Sequence, residues 1–250
     1  MDFPMKKFLK FTLSMAFIAA LVAGYFLFLR PNPDGSSGSI SQRQRMILAY
    51  LNDPAAHADW VLPAGQRCAN APFQMPTDGY IGFTWDDSFS PGHRHTGLDI
   101  FGGDEPGLTP VYAAYDGYLT REAGWKSTLI IRVPSDPLQP GRQIWTYYTH
   151  MANRLGAATI SDQFPPGTQE VFVEAGTLLG YQGNYSGDPL NPVGVHLHLS
   201  IVKDTGAGGF LDERDIDNTL DPSPYFGMAL NATENPDGVP LCPPETQAQP

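Results

Sequence analysis

The chain has 250 residues, with 26 Asp and Glu against 15 Lys and Arg, a formal net charge of −11 and 42% hydrophobic side chains. After Arg30 there are 25 acidic and 11 basic residues, a balance of −14. Such a surface excludes nucleic acid as a natural partner, since phosphates attract basic faces, and it disfavours long-range attraction to any anionic polymer, so that recognition of one has to be local.

Taken in chain order, Lys6, Lys7 and Lys10 precede nineteen uncharged, mainly apolar residues, 11–29, closed by Arg30. At about 1.5 Å per residue this run is roughly 28 Å long, close to a bilayer core of about 30 Å. It reads as a single-pass membrane anchor. A cleaved signal peptide with Ala23-Gly24 as the processing point is the competing reading, but the apolar run continues past that point to Leu29. Three lysines before the span and one arginine after it place the N-terminus in the cytoplasm and the rest outside. Residues 31–40 are a linker by composition, because proline and glycine punctuate Pro31-Asn-Pro-Asp-Gly-Ser-Ser-Gly38 and nothing apolar is available to bury. From Ser41 to Leu51 the spacing predicts a short packing helix with Met46, Ile47, Tyr50 and Leu51 on one side.

The remaining stretch of roughly 190 residues suits one domain with an adequate core. Its short apolar runs are separated by glycine and proline turns, and few segments hold a helical period, so the expected class is mainly β, an antiparallel sheet or sandwich-like domain without internal repeats. Cys68 and Cys242 flank that domain, and outside the cytoplasm such a pair is expected to form a disulfide tying its ends together. Asn184-Tyr-Ser and Asn231-Ala-Thr fit the glycosylation pattern only weakly.

Two motifs about a hundred residues apart carry the chemistry. In Val195-His-Leu-His-Leu-Ser-Ile201 apolar and imidazole residues alternate as on a half-buried strand, so His196 and His198 project from one face. In His95-Thr-Gly-Leu-Asp99, Gly97 relaxes the backbone so that a ring and a carboxylate four residues apart can converge even if a strand begins only at Leu98. Together they supply two imidazoles and a carboxylate for a divalent metal, with one histidine to spare. Three mixed nitrogen and oxygen ligands leave a tetrahedral corner for water, whereas structural zinc sites are usually closed by four ligands rich in cysteine, so an open site points to hydrolysis. No H-E-x-x-H helix is present to provide a glutamate base, and proton transfer falls to imidazole, whose ordinary pKa of about 6.5 suits it.

The residues around these motifs resemble the lysostaphin-like, or LytM-type, zinc metalloendopeptidases, which cut peptide bonds in bacterial peptidoglycan. The blocks that carry the resemblance are His95-Thr-Gly-Leu-Asp99-Ile, Thr109-Pro-Val-Tyr-Ala-Ala-Tyr-Asp-Gly117, Tyr147-Tyr-Thr-His150-Met, Gly176-Thr-Leu-Leu-Gly-Tyr-Gln-Gly-Asn184 and His196-Leu-His198-Leu-Ser-Ile, in that order. The resemblance implies that His95, Asp99 and His198 bind Zn2+ while His196 and His150 act on water and substrate without being ligands. It implies a metallopeptidase domain over 79–228, preceded by an extension over 41–78 and followed by a tail over 229–250, with a peptidoglycan peptide as substrate. Members whose ligands have decayed activate other wall enzymes, so the rival is a zinc-binding module that does not cleave and has a cell-wall amidase as partner. The chain departs from the pattern in two places: Tyr185–Val195, with Pro189 and Pro192, is long for the turn before the last block, and Ser127–Arg142 makes a proline-bearing excursion.

Several residues have plainer readings. His93 reads as an exposed loop histidine after Pro91-Gly92, His57 as a surface residue, and His150, apart from the resemblance, as a core histidine ending a strand over Gln143–His150. Tyr147 and Tyr148 divide between core packing and a groove wall. Asn184 and Asp188 either line subsites or serve glycine-rich turns. Asp212-Glu-Arg-Asp-Ile-Asp217 reads as a solvated acidic turn rather than a calcium loop.

Overall fold

The computed structural model describes residues 41–88 and 92–244. The expected membrane anchor over 11–29 and the linker over 31–40 lie outside the described residues; among the described residues no helix is long and apolar enough to cross a membrane.

The domain is mainly antiparallel β, as its turn-rich sequence predicts. Its strands are β1 (Tyr80–Phe83), β2 (Leu98–Phe101), β3 (Pro110–Tyr112), β4 (Gly117–Thr120), β5 (Leu129–Val133), β6 (Ile144–Thr149), β7 (Val171–Val173), β8 (Leu178–Tyr181), β9 (Leu197–Lys203) and β10 (Thr219–Leu220). Eight form one sheet in the order β1-β2-β9-β6-β5-β4-β7 with β10 on β9, and β3 pairs with β8 in a second, two-stranded sheet. The central strands β9, β6 and β5 are the ones richest in β-branched and aromatic residues, which fit a pleated surface buried on both sides. Alternation assigns the faces. Leu197, Leu199 and Ile201 of β9, Tyr148 of β6 and Leu129 and Ile131 of β5 join the main core with Phe73, Met75, Val111, Leu179 and Phe226. Tyr148 is therefore a core residue, its hydroxyl accepting from Ala114 N at 2.9 Å. The opposite face carries Asp99, His198 and Ser200, then an apolar strip of Ile130, Trp145 and Val202 covered by Trp125, Tyr147 and Phe210.

The N-terminal helix α1 (Gln42–Asn52) starts at a Ser41/Gln44 capping box, in which each side chain accepts from the other residue's backbone N–H. Ile47 and Tyr50 are buried against Tyr80 and Phe101, as the helical period predicts, whereas Leu51 is exposed and Arg43 is buried instead. A 3-10 helix over Pro54–Trp60 follows, with the His57 ring 4.0 Å from that of Trp60. Short helix α2 (Ser223–Phe226) packs into the main core. Cys68 and Cys242 are disulfide-bonded across 174 residues, as their flanking positions suggest.

Candidate metal centre

The register of three strands builds the site. Asp99 pairs with His198 across β2 and β9, and Thr149 pairs with His198 across β6 and β9, so their side chains meet on one face of the sheet. His95 stands before β2. His196 stands before β9, which begins at Leu197 rather than Val195; its N–H bonds Gly183 O, and its ring lies 5.0 Å from that of Phe101. β6 ends at Thr149, and His150 just beyond it has a left-handed φ of 68°, a conformation that costs a β-carbon residue free energy and is held here by Ala152 N donating to His150 O at 2.8 Å. Gly97 matters for a reason other than backbone freedom: a Cβ there would lie 2.2 Å from Leu199 O, so only glycine lets β9 approach this closely.

Three donor atoms converge. Asp99 Oδ1 lies 2.8 Å from His198 Nδ1 and 3.0 Å from His95 Nε2, and those two nitrogens are 3.1 Å apart. His196 Nε2 is 3.4 Å from the same oxygen and, although buried, has no hydrogen-bond partner among the described residues. The ring of His150 is 4.6 Å from that of His196.

Outward hydrogen bonds assign the tautomers. The Nδ1 atoms of His95, His150 and His196 face the carbonyl oxygens of Thr84, Tyr185 and Gly194 at 2.9, 2.7 and 2.7 Å. A carbonyl only accepts, so each Nδ1 carries the proton and each Nε2 turns a lone pair inward. His198 is held the other way round, Nε2 donating to Glu213 Oε1 at 2.9 Å and leaving Nδ1 inward. Glu213 also accepts from Ser200 Oγ at 2.7 Å and Thr96 Oγ1 at 2.5 Å. An outward partner on every ring is the arrangement by which proteins aim imidazole ligands.

The charges follow. Burial works against ionising Asp99, but the electrostatic pull of the imidazoles around it and the hydrogen bond from His198 Nδ1 hold its carboxyl well below the usual range. Burial likewise opposes charge on His198, yet Glu213 and Asp99 on either side raise it to about 10. Burial also disfavours the Glu213 carboxylate, and the contact with His198 overrides that and lowers it to about 2. In the metal-free protein a proton on His198 Nδ1 thus sits between Asp99 Oδ1 and His95 Nε2, where a cation would sit. His150 is the reverse case: burial, reinforced by His196 and His198, lowers it to about 3 and keeps the ring neutral.

The donor set fits zinc. Bonds of about 2.0–2.1 Å give a tetrahedron edges of about 3.3–3.4 Å, so the observed triangle opens by a few tenths of an ångström to receive the ion. Two imidazole nitrogens with one carboxylate oxygen suit zinc better than calcium or magnesium, which take oxygen ligands.

The centre lies in a cleft of about 500 Å³ whose lining includes His93, Arg94, Thr149, His150, Val193 and Arg214. His93 is half-buried in that lining, not the exposed loop residue its Pro-Gly flank suggests. The long Tyr185–Val195 segment supplies both carbonyls that orient the auxiliary histidines, Tyr185 O for His150 and Gly194 O for His196. Asp188 is exposed and caps Leu190 N, so it serves the turn. Tyr147 lies on the cleft face of the sheet, opposite Ser200 in register. Glu213 has no local signal; Asp212 and Asp217 beside it are exposed as a solvated turn should be, and only the fold turns Glu213 inward.

No protein-family model matches the chain, and no curated protein does. Among solved structures it is similar to a Pseudomonas aeruginosa protein assigned to peptidase M23 (20% identity, TM-score 0.36, 74% of this chain and 61% of that one). It is also similar to the catalytic domain of the prophage-encoded M23 protein EnpA from Enterococcus faecalis (18%, 0.36, 60% and 96%) and to a Ruminococcus gnavus protein assigned as a glycyl-glycine endopeptidase LytM (24%, 0.33, 52% and 44%). The chain spans less than two thirds of the Pseudomonas and Ruminococcus proteins. It is similar to M23 and LytM-type peptidases, at depths of likeness that carry no activity across to it.

Proposed function

We propose that the chain is a LytM-type zinc endopeptidase that hydrolyses peptide bonds in peptidoglycan, with His95, Asp99 and His198 as ligands and His196 and His150 as the groups that handle protons and the reacting carbonyl. The observation that carries this reading is the aim of the rings: all four are locked by an outward hydrogen bond, and those of His95, His196 and His198 turn their inner nitrogen to one buried carboxylate at the floor of an open cleft, with the His150 ring beside that of His196. A structural site has no use for two further imidazoles beside its ligands.

Zinc held there supplies Lewis acidity, polarising a carbonyl and bringing the pKa of water towards about 7. The chain's residues do the rest. His196 Nε2, lacking any hydrogen-bond partner, accepts a proton from water and returns it to the leaving amine. The Gly194 carbonyl stabilises the imidazolium that forms, because it still accepts from Nδ1–H. His150, kept neutral by burial and held by Tyr185 O, presents the Nε2 lone pair beside His196 and orients the attacking water by accepting a hydrogen bond from it. Glu213 keeps His198 in the tautomer that a ligand needs.

Under the same proposal the run over 11–29 anchors the enzyme to the outer face of the cell membrane, within reach of the wall. Purified sacculi incubated with the protein are expected to release new amino termini, lose that release with chelator and regain it with zinc. Zinc uptake without any release would instead favour a non-cleaving module that activates a wall amidase.

A further inference from the structure

Arg43, on helix α1, is buried at 2% exposure and far in sequence from every residue of the centre. Its guanidinium joins three separate segments. Nε makes an ion pair with Asp87 Oδ2 at 2.6 Å, a close contact rather than a well-aligned hydrogen bond. Nη1 donates to Gly82 O of β1 at 3.4 Å and to Gly238 O of the tail at 3.3 Å, and Nη2 donates to Asn235 O. A buried guanidinium is costly unless it is paired and its donors are used; this one places its Nη donors on carbonyls of β1 and the tail and pairs its charge with Asp87 in the turn that follows β1.

That turn, Thr84–Asp87, clamps His95. Thr84 O accepts from the ring Nδ1–H at 2.9 Å, Asp87 O accepts from His95 N at 2.8 Å, and Asp86 N donates to His95 O at 2.8 Å. Asp86 takes a left-handed φ of 63°, so the turn is not a conformation that its own residues prefer. It is held from outside at two points: Trp85, whose backbone bonds Leu230 O and Ala232 N and whose indole N–H donates to Thr219 Oγ1, and Asp87, whose side chain is gripped by Arg43 at the end of the turn that bonds His95 N.

We infer that Arg43 is a positioning residue for the metal centre: through Asp87 it fixes the turn whose carbonyl sets the tautomer and place of His95, which makes the N-terminal helix a functional part of the site. The inference deepens the zinc reading above and rests on it, but its first readout needs no metal. In the full-length protein labelled with 15N-histidine and stripped of metal, long-range 1H–15N spectra are expected to show His95 in the Nδ1–H form. In Arg43→Lys and Asp87→Asn the ring is expected to sample both tautomers, and the zinc dissociation constant from chelator competition to rise about ten- to a hundredfold. Asp136→Asn, at a buried pair with Arg142 outside the cleft lining, is the control. It is expected to lower the melting temperature while leaving tautomer and affinity unchanged.

If the Arg43 variant fails to fold, Asp87→Asn decides, because it leaves Arg43 on its three carbonyls. An unaltered His95 tautomer with a zinc dissociation constant within about threefold of the parent would overturn the inference, as would an equal change in Asp136→Asn. A parent protein that keeps the tautomer but takes up no zinc would overturn the metal reading and leave the tautomer comparison to decide this one.

Discussion

Replacing Glu213 by glutamine changes one atom and tests the electrostatics of the whole centre. In the metal-free protein the His198 imidazolium is flanked by Asp99 Oδ1 at 2.8 Å and Glu213 Oε1 at 2.9 Å, which raises its pKa to about 10. Zinc needs Nδ1 as a lone pair, so binding between pH 7.5 and 9 has to expel that proton. One proton per ion means that apparent affinity rises tenfold, or about 1.4 kcal/mol, with each pH unit. In Glu213→Gln one flanking charge is gone, the His198 pKa falls, and over the same window the slope flattens towards zero. Stability changes with the opposite sign. A folded pKa above the ordinary value of about 6.5 stabilises the metal-free protein fully below pH 6.5, and this contribution disappears as pH rises through about 10. The parent's melting temperature should therefore fall over that range by more than the variant's. Calorimetric zinc titrations in buffers of different ionisation enthalpy count the proton directly. A parent that releases no proton at pH 8, or a glutamine variant with the parent's slope, refutes the reasoning.

The remaining predictions concern the auxiliary ring, the central carboxylate, the strand contact and the disulfide. His196→Ala is expected to retain stoichiometric zinc by metal analysis while release from sacculi falls about 10²–10⁴-fold; loss of metal in parallel would make His196 a ligand. Asp99→Ala removes the oxygen at the centre of the donor triangle and is expected to abolish zinc uptake, and stoichiometric binding in that variant would place the ion elsewhere. Gly97→Ala drives a Cβ to 2.2 Å from Leu199 O and is expected to cost roughly 1–3 kcal/mol or more in urea denaturation, against a few tenths at an open position. Reducing Cys68–Cys242 reopens a 174-residue loop and is expected to remove about 2–5 kcal/mol, a drop in melting temperature of roughly 5–20 °C by calorimetry.

Much of this protein is local and was therefore legible. The period of two in Leu197-His-Leu-His-Leu predicts that its two rings share a face, because successive strand side chains alternate whatever the strand pairs with. The Ser41/Gln44 cap and the spacing of Ile47 and Tyr50 similarly announce a helix and its buried side. Cysteines at the two ends of a domain announce a staple. Other features depend on which strands lie side by side, and that is a property of the closed sheet. His95 and Asp99 can be paired with His198 in imagination, but the register of β2 and β6 on β9 is what brings them within 3.1 Å. Gly97 looks like a hinge in sequence; in the fold it is a gap through which another strand's carbonyl passes. Glu213 cannot be told from the acids beside it until the chain turns it under His198. The carbonyls of Thr84, Tyr185 and Gly194, which assign the proton on three rings, belong to backbone that every residue possesses, and Arg43 reaches its partners across nearly two hundred residues. The sequence by itself determined which chemical groups were available and which way short segments would face; the tertiary structure alone decided which distant groups became neighbours, because hydrogen bonds and charges act over a few ångströms of space and are indifferent to separation along the chain.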